Sequence, residues 1–227
     1  MEPIIVTDEW KATFPGASVG ILSMGGVSNP VDCPALEGRK KALENNLREK
    51  FAGRMKTDLL NMDTVKVYDS YYRKFKKTYH VQLQLETIIF KGKPIPHVAA
   101  LVEAMFMAEI ENQLLTAGHD LDALELPVTL DVSEGGERYM LLRGQDEELK
   151  PGDMMMFDKK GIISSIIYGP DRRTQITSST HKVMFVTYAP AGISERMILH
   201  HLETIQDYVL IISPQAEVIF KKIYTSN

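Results

Sequence analysis

Strand-like runs crowd into one stretch of this chain, from about Leu126 to Tyr188, and helical periodicity lies on either side of it. The runs are Pro127-Val-Thr-Leu-Asp-Val132, Arg138-Tyr-Met-Leu-Leu142, Met154-Met-Met-Phe157, Ile162-Ile-Ser-Ser-Ile-Ile-Tyr168 and Lys182-Val-Met-Phe-Val-Thr-Tyr188. Each is short, apolar and bounded by turn residues. Strands segregated from helices in this way specify an α+β fold rather than alternating β and α. Gly135-Gly136, between the first two runs, predicts a hairpin, because glycine takes positive φ at both central positions. Pro151-Gly152 predicts a type II turn, and Asp158-Lys-Lys-Gly161 a further reversal.

Outside that stretch, Ala17-Ser-Val-Gly-Ile-Leu-Ser23 reads as a buried strand ending at Gly25-Gly26. Leu36, Leu43, Leu47 and Phe51 recur at helical spacing. The i,i+4 pairs Glu37–Lys41 and Glu44–Arg48 support that helix, and Gly53 stops it. A second helix is predicted from His97 to Thr116, ending at Ala117-Gly118. Its stripe of Val102, Phe106, Ile110 and Leu114 is widened by Leu101, Met105 and Ala108, so the helix should be mostly buried. Ser194 can cap a third, carrying Ile198, Leu202, Ile205 and Val209 and stopped by Ser213-Pro214. Ala216 to Phe220 then returns as a strand.

The 227 residues suffice for one substantial core, and no Pro/Ser-rich linker divides them, so a single domain over 1–227 is expected. No apolar run approaches the roughly 18 residues of a membrane span. The first residues carry no basic, then apolar, leader pattern, so no signal peptide is expected and the location is expected to be cytoplasmic. Cys33 is the only cysteine, which excludes an internal disulfide and a thiolate zinc cluster. Set before Pro34, it reads as a turn or packing thiol. A net charge of −4 argues against broad electrostatic binding of nucleic acid while allowing a local basic patch.

The motifs narrow the chemistry further. None of the six histidines forms His-Glu-x-x-His, and the His200-His201 pair points to different sides of a helix. No metal and no cofactor are expected. There is no Gly-x-Ser-x-Gly elbow and no Walker-type loop. Three candidates remain. The run Tyr71-Tyr-Arg-Lys-Phe-Lys-Lys-Thr-Tyr79 offers Arg73, Lys76 and Lys77 to phosphates and aromatics to unpaired bases. On a helix, Tyr71, Phe75 and Tyr79 share one face, and the same pattern equally describes a buried aromatic stripe under a solvated basic face. Asp120 and Asp122 form an acidic pair that turn residues also produce. The polar loop from Tyr168 to Thr180 combines Asp171, Arg172, Arg173 and several hydroxyls between two strands, suiting a phosphate, carboxylate or polar ester.

In order along the chain, these landmarks resemble the B3/B4-type editing-domain family of the phenylalanyl-tRNA synthetase beta chain, including its free-standing relatives. The elements are Tyr72-Arg-Lys-Phe-Lys76, Leu101-Val-Glu-Ala104, Gly118-His-Asp-Leu-Asp122-Ala-Leu124, Gly135-Gly-Glu137, Lys150-Pro-Gly-Asp153 with Met156-Phe-Asp158, and Gly169-Pro-Asp171 with Ile176-Thr177 and Thr180. The similarity runs from about Tyr71 to Tyr188, leaving 1–63 and 192–227 as additions.

The resemblance implies a β-sandwich-like core of mostly antiparallel strands flanked by helices. It also implies hydrolysis of a wrongly attached aminoacyl ester, as of tyrosine on a phenylalanine tRNA. The family's editing His falls at Asp122 here, and its acidic specificity residue near Asp171. Its Val-Asp-x-x-Asn stretch reads Val102-Glu-Ala-Met-Phe106, so Glu103 keeps the acid and Phe106 replaces the polar residue. Asp122 would position a water and amides near Gly169 would meet the oxyanion. Arg172 and Arg173, with Arg73, Lys76 and Lys77, would meet the tRNA 3′ end, and His119, Thr177 and Thr180 would complete the binding surface. Two readings follow: a stand-alone trans-editing hydrolase, or a non-catalytic module binding a tRNA end, amino acid or nucleotide. The first requires Asp122 and Asp171 to face one concavity.

Overall fold

The computed structural model describes residues 3–226. The chain runs β1 (Ile4–Val6), α1 (Asp8–Thr13), β2 (Ser18–Gly25), α2 (Pro34–Lys50), α3 (Lys56–Leu60), α4 (Asp63–Lys74), α5 (His80–Phe90) and α6 (Ala100–Asn112). There follow β3 (Leu115–Asp120), β4 (Val128–Val132), β5 (Arg138–Met140), β6 (Asp146–Glu148), β7 (Met154–Asp158), β8 (Gly161–Ser165), β9 (Gly169–Pro170) and β10 (Lys182–Ala189). α7 (Glu195–Ile212) and β11 (Glu217–Thr225) close it.

Two sheets carry the architecture. One, in the order β11-β2-β10-β3, is antiparallel throughout. The other, β1-β4-β7-β8-β9, is antiparallel except where β1 runs parallel to β4. The sheets are joined where the buried Tyr188 hydroxyl of β10 meets the Ser164 hydroxyl of β8 at 2.5 Å. Helix α7 packs against β2 so closely that a Cβ on Gly20 would stand 2.5 Å from Ile198 Cγ2. The result is an α+β fold, with mostly antiparallel sheets and flanking helices. No helix among the described residues is long and apolar enough to cross a membrane.

The aromatic run resolves into core structure. Helix α4 stops at Lys74, Lys76 adopts a left-handed φ of +56°, and Tyr79 is the N-cap of α5, so the expectation of one helix through Tyr79 is corrected. The aromatic rings are buried all the same. Tyr68 stacks on Tyr79 with centroids 4.4 Å apart. The hydroxyls then fasten the helix pair to the rest of the molecule: Tyr68 donates to the Tyr188 carbonyl, Tyr72 to Ile166, Tyr79 to Gln113 and Tyr71 to Asp153. A buried phenol needs such a partner, and here each finds one.

Two further expectations are corrected. The helix predicted to Thr116 ends at Asn112, where Gln113 turns left-handed (φ +56°), and Leu115–Asp120 becomes β3. Pairing along β10 overrides the helical period there. Gly135-Gly136 does turn the chain with positive φ, but it joins no hairpin. β4 pairs with β1 and β7, while β5 pairs with β6. The Glu137 carboxylate gathers the Glu134 and Gly135 amides and the Ser133 hydroxyl, which fixes a wider loop instead.

Candidate functional site

A cavity of about 460 Å³ opens between α5, α6, β3 and the segment through β9, within the size range of small-ligand sites. Helix α6 contributes Val102, Met105, Phe106 and Glu109, which fall on one face at i, i+3, i+4 and i+7. Helix α5 presents His80 and Gln84, again one turn apart. The floor is β3 at Gly118, where a Cβ would lie 2.8 Å from Ile176 and 3.2 Å from the Met105 sulfur, so glycine keeps the floor open. Arg143, Tyr168, Gly169 and Gln175 also line it, and of these Arg143 is exposed.

Glu109 is the most unusual lining residue, an acid 1% exposed beside the apolar Val102, Met105 and Phe106 on the cavity face of α6. One carboxyl oxygen accepts the Thr116 amide at 2.7 Å. The other has no hydrogen-bond partner among the described residues. Burial pushes this carboxyl up to about 8, against the smaller opposing pull of that amide, so it is mainly protonated at neutral pH and can donate.

His80 is held differently. The Tyr72 hydroxyl spends its proton on the Ile166 carbonyl, so the 3.1 Å contact to His80 assigns the imidazole proton to Nδ1. Nε2 is left as an acceptor, and burial pushes the ring down to about 4, so it stays neutral. Gln84 makes no side-chain hydrogen bond among the described residues. Arg143 is exposed and without an ion-pair partner there. Nearby, Arg172 Nη1 lies 3.2 Å from where a Cβ on Gly144 would stand, and Lys77 Nζ sits 5.3 Å over the Tyr168 ring. The cavity thus has an α6 wall of apolar side chains that also carries the buried Glu109, a polar edge of His80 and Gln84 from α5, and the exposed Arg143 among its lining residues.

Of the residues singled out in the sequence, Phe106 and Gly169 line this cavity, and Lys77 reaches its rim through Tyr168. Asp122 and Asp171 do not share it. Asp122 is exposed beyond β3 and paired to Lys182 at 2.9 Å. Asp171 is buried and accepts the Arg173 and Thr174 amides and, in a very short contact, the Thr174 hydroxyl. The Thr174 hydroxyl in turn meets His119 Nδ1 at 2.7 Å. His119 is not among the residues that line the cavity. Burial lowers the ring to about 3, and its Nε2 has no hydrogen-bond partner among the described residues.

The remaining candidates hold the fold. Arg173 forks onto Asp158 at 2.8 and 3.0 Å and reaches the Ala123 carbonyl. Burial acts to raise the Asp158 carboxyl, but the Glu125 amide and Arg173 hold it below its ordinary value. Thr180 donates to Asp120 and accepts from the Thr177 amide, tying the loop to the end of β3. Arg73 pairs with Asp69 on its own helix, and Lys76 is exposed at the helix end. Glu103 is buried, accepting His97 and the Val98 amide on one oxygen and Lys40 on the other. Glu37, His97 and Glu103 bring ligand-type atoms within 4.8 Å, yet the Lys40 ammonium, 2.6 and 3.1 Å from the two carboxylates, already supplies the positive charge.

Glu109, His80, Gln84 and Arg143 are not marked as site residues by any sequence motif. A signal for Glu109 was present, as an acid three residues after Phe106 on a stripe predicted to be buried. None existed for His80 and Gln84 without knowing that α5 begins at His80.

Comparison with known proteins gives three findings. The family model described as the B3/4 domain matches residues 65–208. No curated protein matches. Among solved structures, the chain is similar to an N-terminal fragment of the phenylalanyl-tRNA synthetase beta-subunit from Pyrococcus horikoshii, with 12% identity and a TM-score of 0.47. That alignment covers 97% of this chain and 49% of the fragment, so the chain spans about half of the fragment's length.

Proposed function

The chain belongs to the B3/4 domain family, and from that premise we propose that its cavity receives the aminoacyl end of a tRNA. The aminoacyl group lies against the apolar α6 wall, and the terminal nucleotide lies at the rim. The observation that carries this reading is the cavity's combination of an uncharged interior with the exposed Arg143 among its lining residues. Inside, Val102, Met105 and Phe106 supply apolar contact, with Glu109 and His80 both uncharged at neutral pH. At the rim, the exposed Arg143, and Lys77 over the Tyr168 ring, suit phosphate oxygens.

The geometry favours binding over proton transfer. A carboxyl that is mainly protonated and an imidazole of low basicity are poor bases at neutral pH. Turnover of the ester, the trans-editing form of the reading, is favoured by one feature. His80 Nε2 is an unprotonated acceptor at the cavity wall, able to hold a water against an ester carbonyl that is already activated.

A panel of aminoacylated and mis-aminoacylated tRNAs, including tyrosine on phenylalanine tRNA, tests both forms. Binding that weakens about tenfold in Arg143→Glu is expected, steepening at low salt. Absence of binding to every member would refute the reading. Release of amino acid by the wild type and not by His80→Phe would establish the hydrolytic form.

A further inference from the structure

A second cavity, of about 230 Å³, opens where the N-terminal segment meets α4 and the connection from β10 to α7. It shares no lining residue with the larger cavity. Val67, Ser70, Tyr71 and Lys74 fall at i, i+3, i+4 and i+7 and present one face of α4 to it. Phe14 and Pro15, at the end of α1, and Pro190 and Ala191, after β10, also line it. Residues 13–17 lie outside the segment 65–208 that matches the family. The cavity therefore exists only where the N-terminal addition is docked on the family core.

Close approach fixes its walls. Gly192 adopts φ +109°, and a Cβ there would stand 2.9 Å from Val67 Cγ2. Gly16, at φ +79°, lies against Ala191 in the same way, at 3.5 Å. The aromatic side is fixed too. The Tyr71 hydroxyl donates to Asp153 and accepts the Met154 amide, so its proton is spent inside the fold, and Phe14 stands 6.1 Å from the Tyr71 ring.

One charged side chain lines this cavity, the exposed Lys74. Its neighbour Arg73 takes Asp69 at 2.8 Å, whereas Lys74 meets no acid among the described residues. The Lys74 ammonium is held 5.8 Å from the centroid of the Tyr71 ring. Ser70, one turn earlier on the same face, carries a hydroxyl that makes no hydrogen bond among the described residues. The other lining hydroxyl, Thr13, is spent on Glu9 at 3.3 Å.

We propose that this second cavity binds a small carboxylate with an apolar body, the carboxylate meeting Lys74 and Ser70 and the body lying against Phe14, Val67 and the Tyr71 ring. Charge sign selects the anion. A cation would be repelled by Lys74, and a neutral ligand would forgo the ion pair. Size selects further. The 230 Å³ equals the share of about eight water molecules in the liquid, which limits the ligand to roughly ten non-hydrogen atoms, as in a benzenoid or branched aliphatic monocarboxylate.

The test titrates the full chain with benzoate, with benzamide as the neutral and benzylamine as the cationic control, and follows the backbone amides by heteronuclear NMR. Benzoate should shift the amides around Phe14, Ser70 and Ala191 with a Kd on the order of 1 mM, a scale open to so small a ligand. Both controls should bind about fivefold more weakly, the scale of one solvent-exposed ion pair. Lys74→Gln should lose the same factor, and Lys74→Arg should keep benzoate binding. Ser70→Leu, a change at an exposed helix position, should fill the cavity and abolish the shifts. Equal binding of benzoate and benzamide, unchanged affinity in Lys74→Gln or Ser70→Leu, or shifts confined to the larger cavity would overturn the proposal. So would the absence of shifts at benzoate about tenfold above that Kd. None of these outcomes bears on the aminoacyl reading.

Discussion

Replacing Glu109 by Gln should change how stability responds to pH, and the size of the change follows from the burial of one carboxyl. Glu109 rises from an ordinary 4.5 to about 8 in the folded chain, burial being the cause. Between those values the unfolded chain has lost the proton and the folded chain has kept it. Fewer protons bound in the unfolded state mean that stability falls as pH rises. The contribution is fully present below 4.5 and is lost as pH climbs through 8. At about 1.36 kcal/mol per pH unit, the whole span is worth about 5 kcal/mol.

Other groups act in part of that window. His80, His119 and His201 are lowered to about 4, 3 and 3 by burial, so between those values and 6.5 they make stability rise with pH. Asp153, raised to about 6 by burial, acts with Glu109 from 3.8 upward. Above 6.5 the histidine contributions fade over about one more pH unit and are common to both proteins, so the difference between wild type and Glu109→Gln isolates Glu109. From pH 6.5 to 8.5 it should remove about 2 kcal/mol. Glutamine keeps an oxygen for the Thr116 amide and cannot ionise, so Glu109→Gln should lack this loss. Urea denaturation of both proteins at the two pH values measures it, with unchanged m-values as the control. If both lose stability equally, Glu109 is not the buried acid described here.

Gly20→Ala should destabilise by roughly 1–3 kcal/mol, since its methyl would enter Ile198 at 2.5 Å and approach Leu202 at 3.2 Å; thermal denaturation reads this, and an unchanged Tm would contradict the packing of α7 on β2. Arg173→Ala should cost roughly 3 kcal/mol, because it strands the fully buried Asp158 side chain. The loss should appear in denaturation rather than as a selective defect in tRNA binding. Asp122→Ala should leave ligand affinity and any ester turnover unchanged, because its side chain meets Lys182 at the surface; a specific loss in either assay would restore it to the site.

Local chemistry made much of the fold readable. The Ser194 cap, which accepts the Met197 amide, and the Gly152 turn at φ +83° are short-range devices that fix their own conformation. Leu115–Asp120 escaped for the opposite reason. Its residues are helix-compatible, and only the ladder to β10 makes them a strand. The site was less legible still. Arg173, Thr180 and Asp171 are residues that suit a ligand, and they equally suit a loop that must satisfy its own backbone. Here each is used inward. His80 becomes significant only through Tyr72, a partner eight residues away whose proton is committed to Ile166.

Strand β2 lies inside its sheet with β10 on one side and β11 on the other, Ser18 facing both Ala189 and Thr225. During vectorial synthesis this apolar strand leaves the ribosome early and waits for partners encoded more than 150 residues later. The four-stranded sheet therefore closes late, and its assembly depends on long-range loop closure rather than on hairpins. The segment 65–208 that matches the family contains β3 and β10 but neither β2 nor β11. Expressed alone it would carry β10 with an open edge, a template for association with other chains rather than a self-sufficient unit.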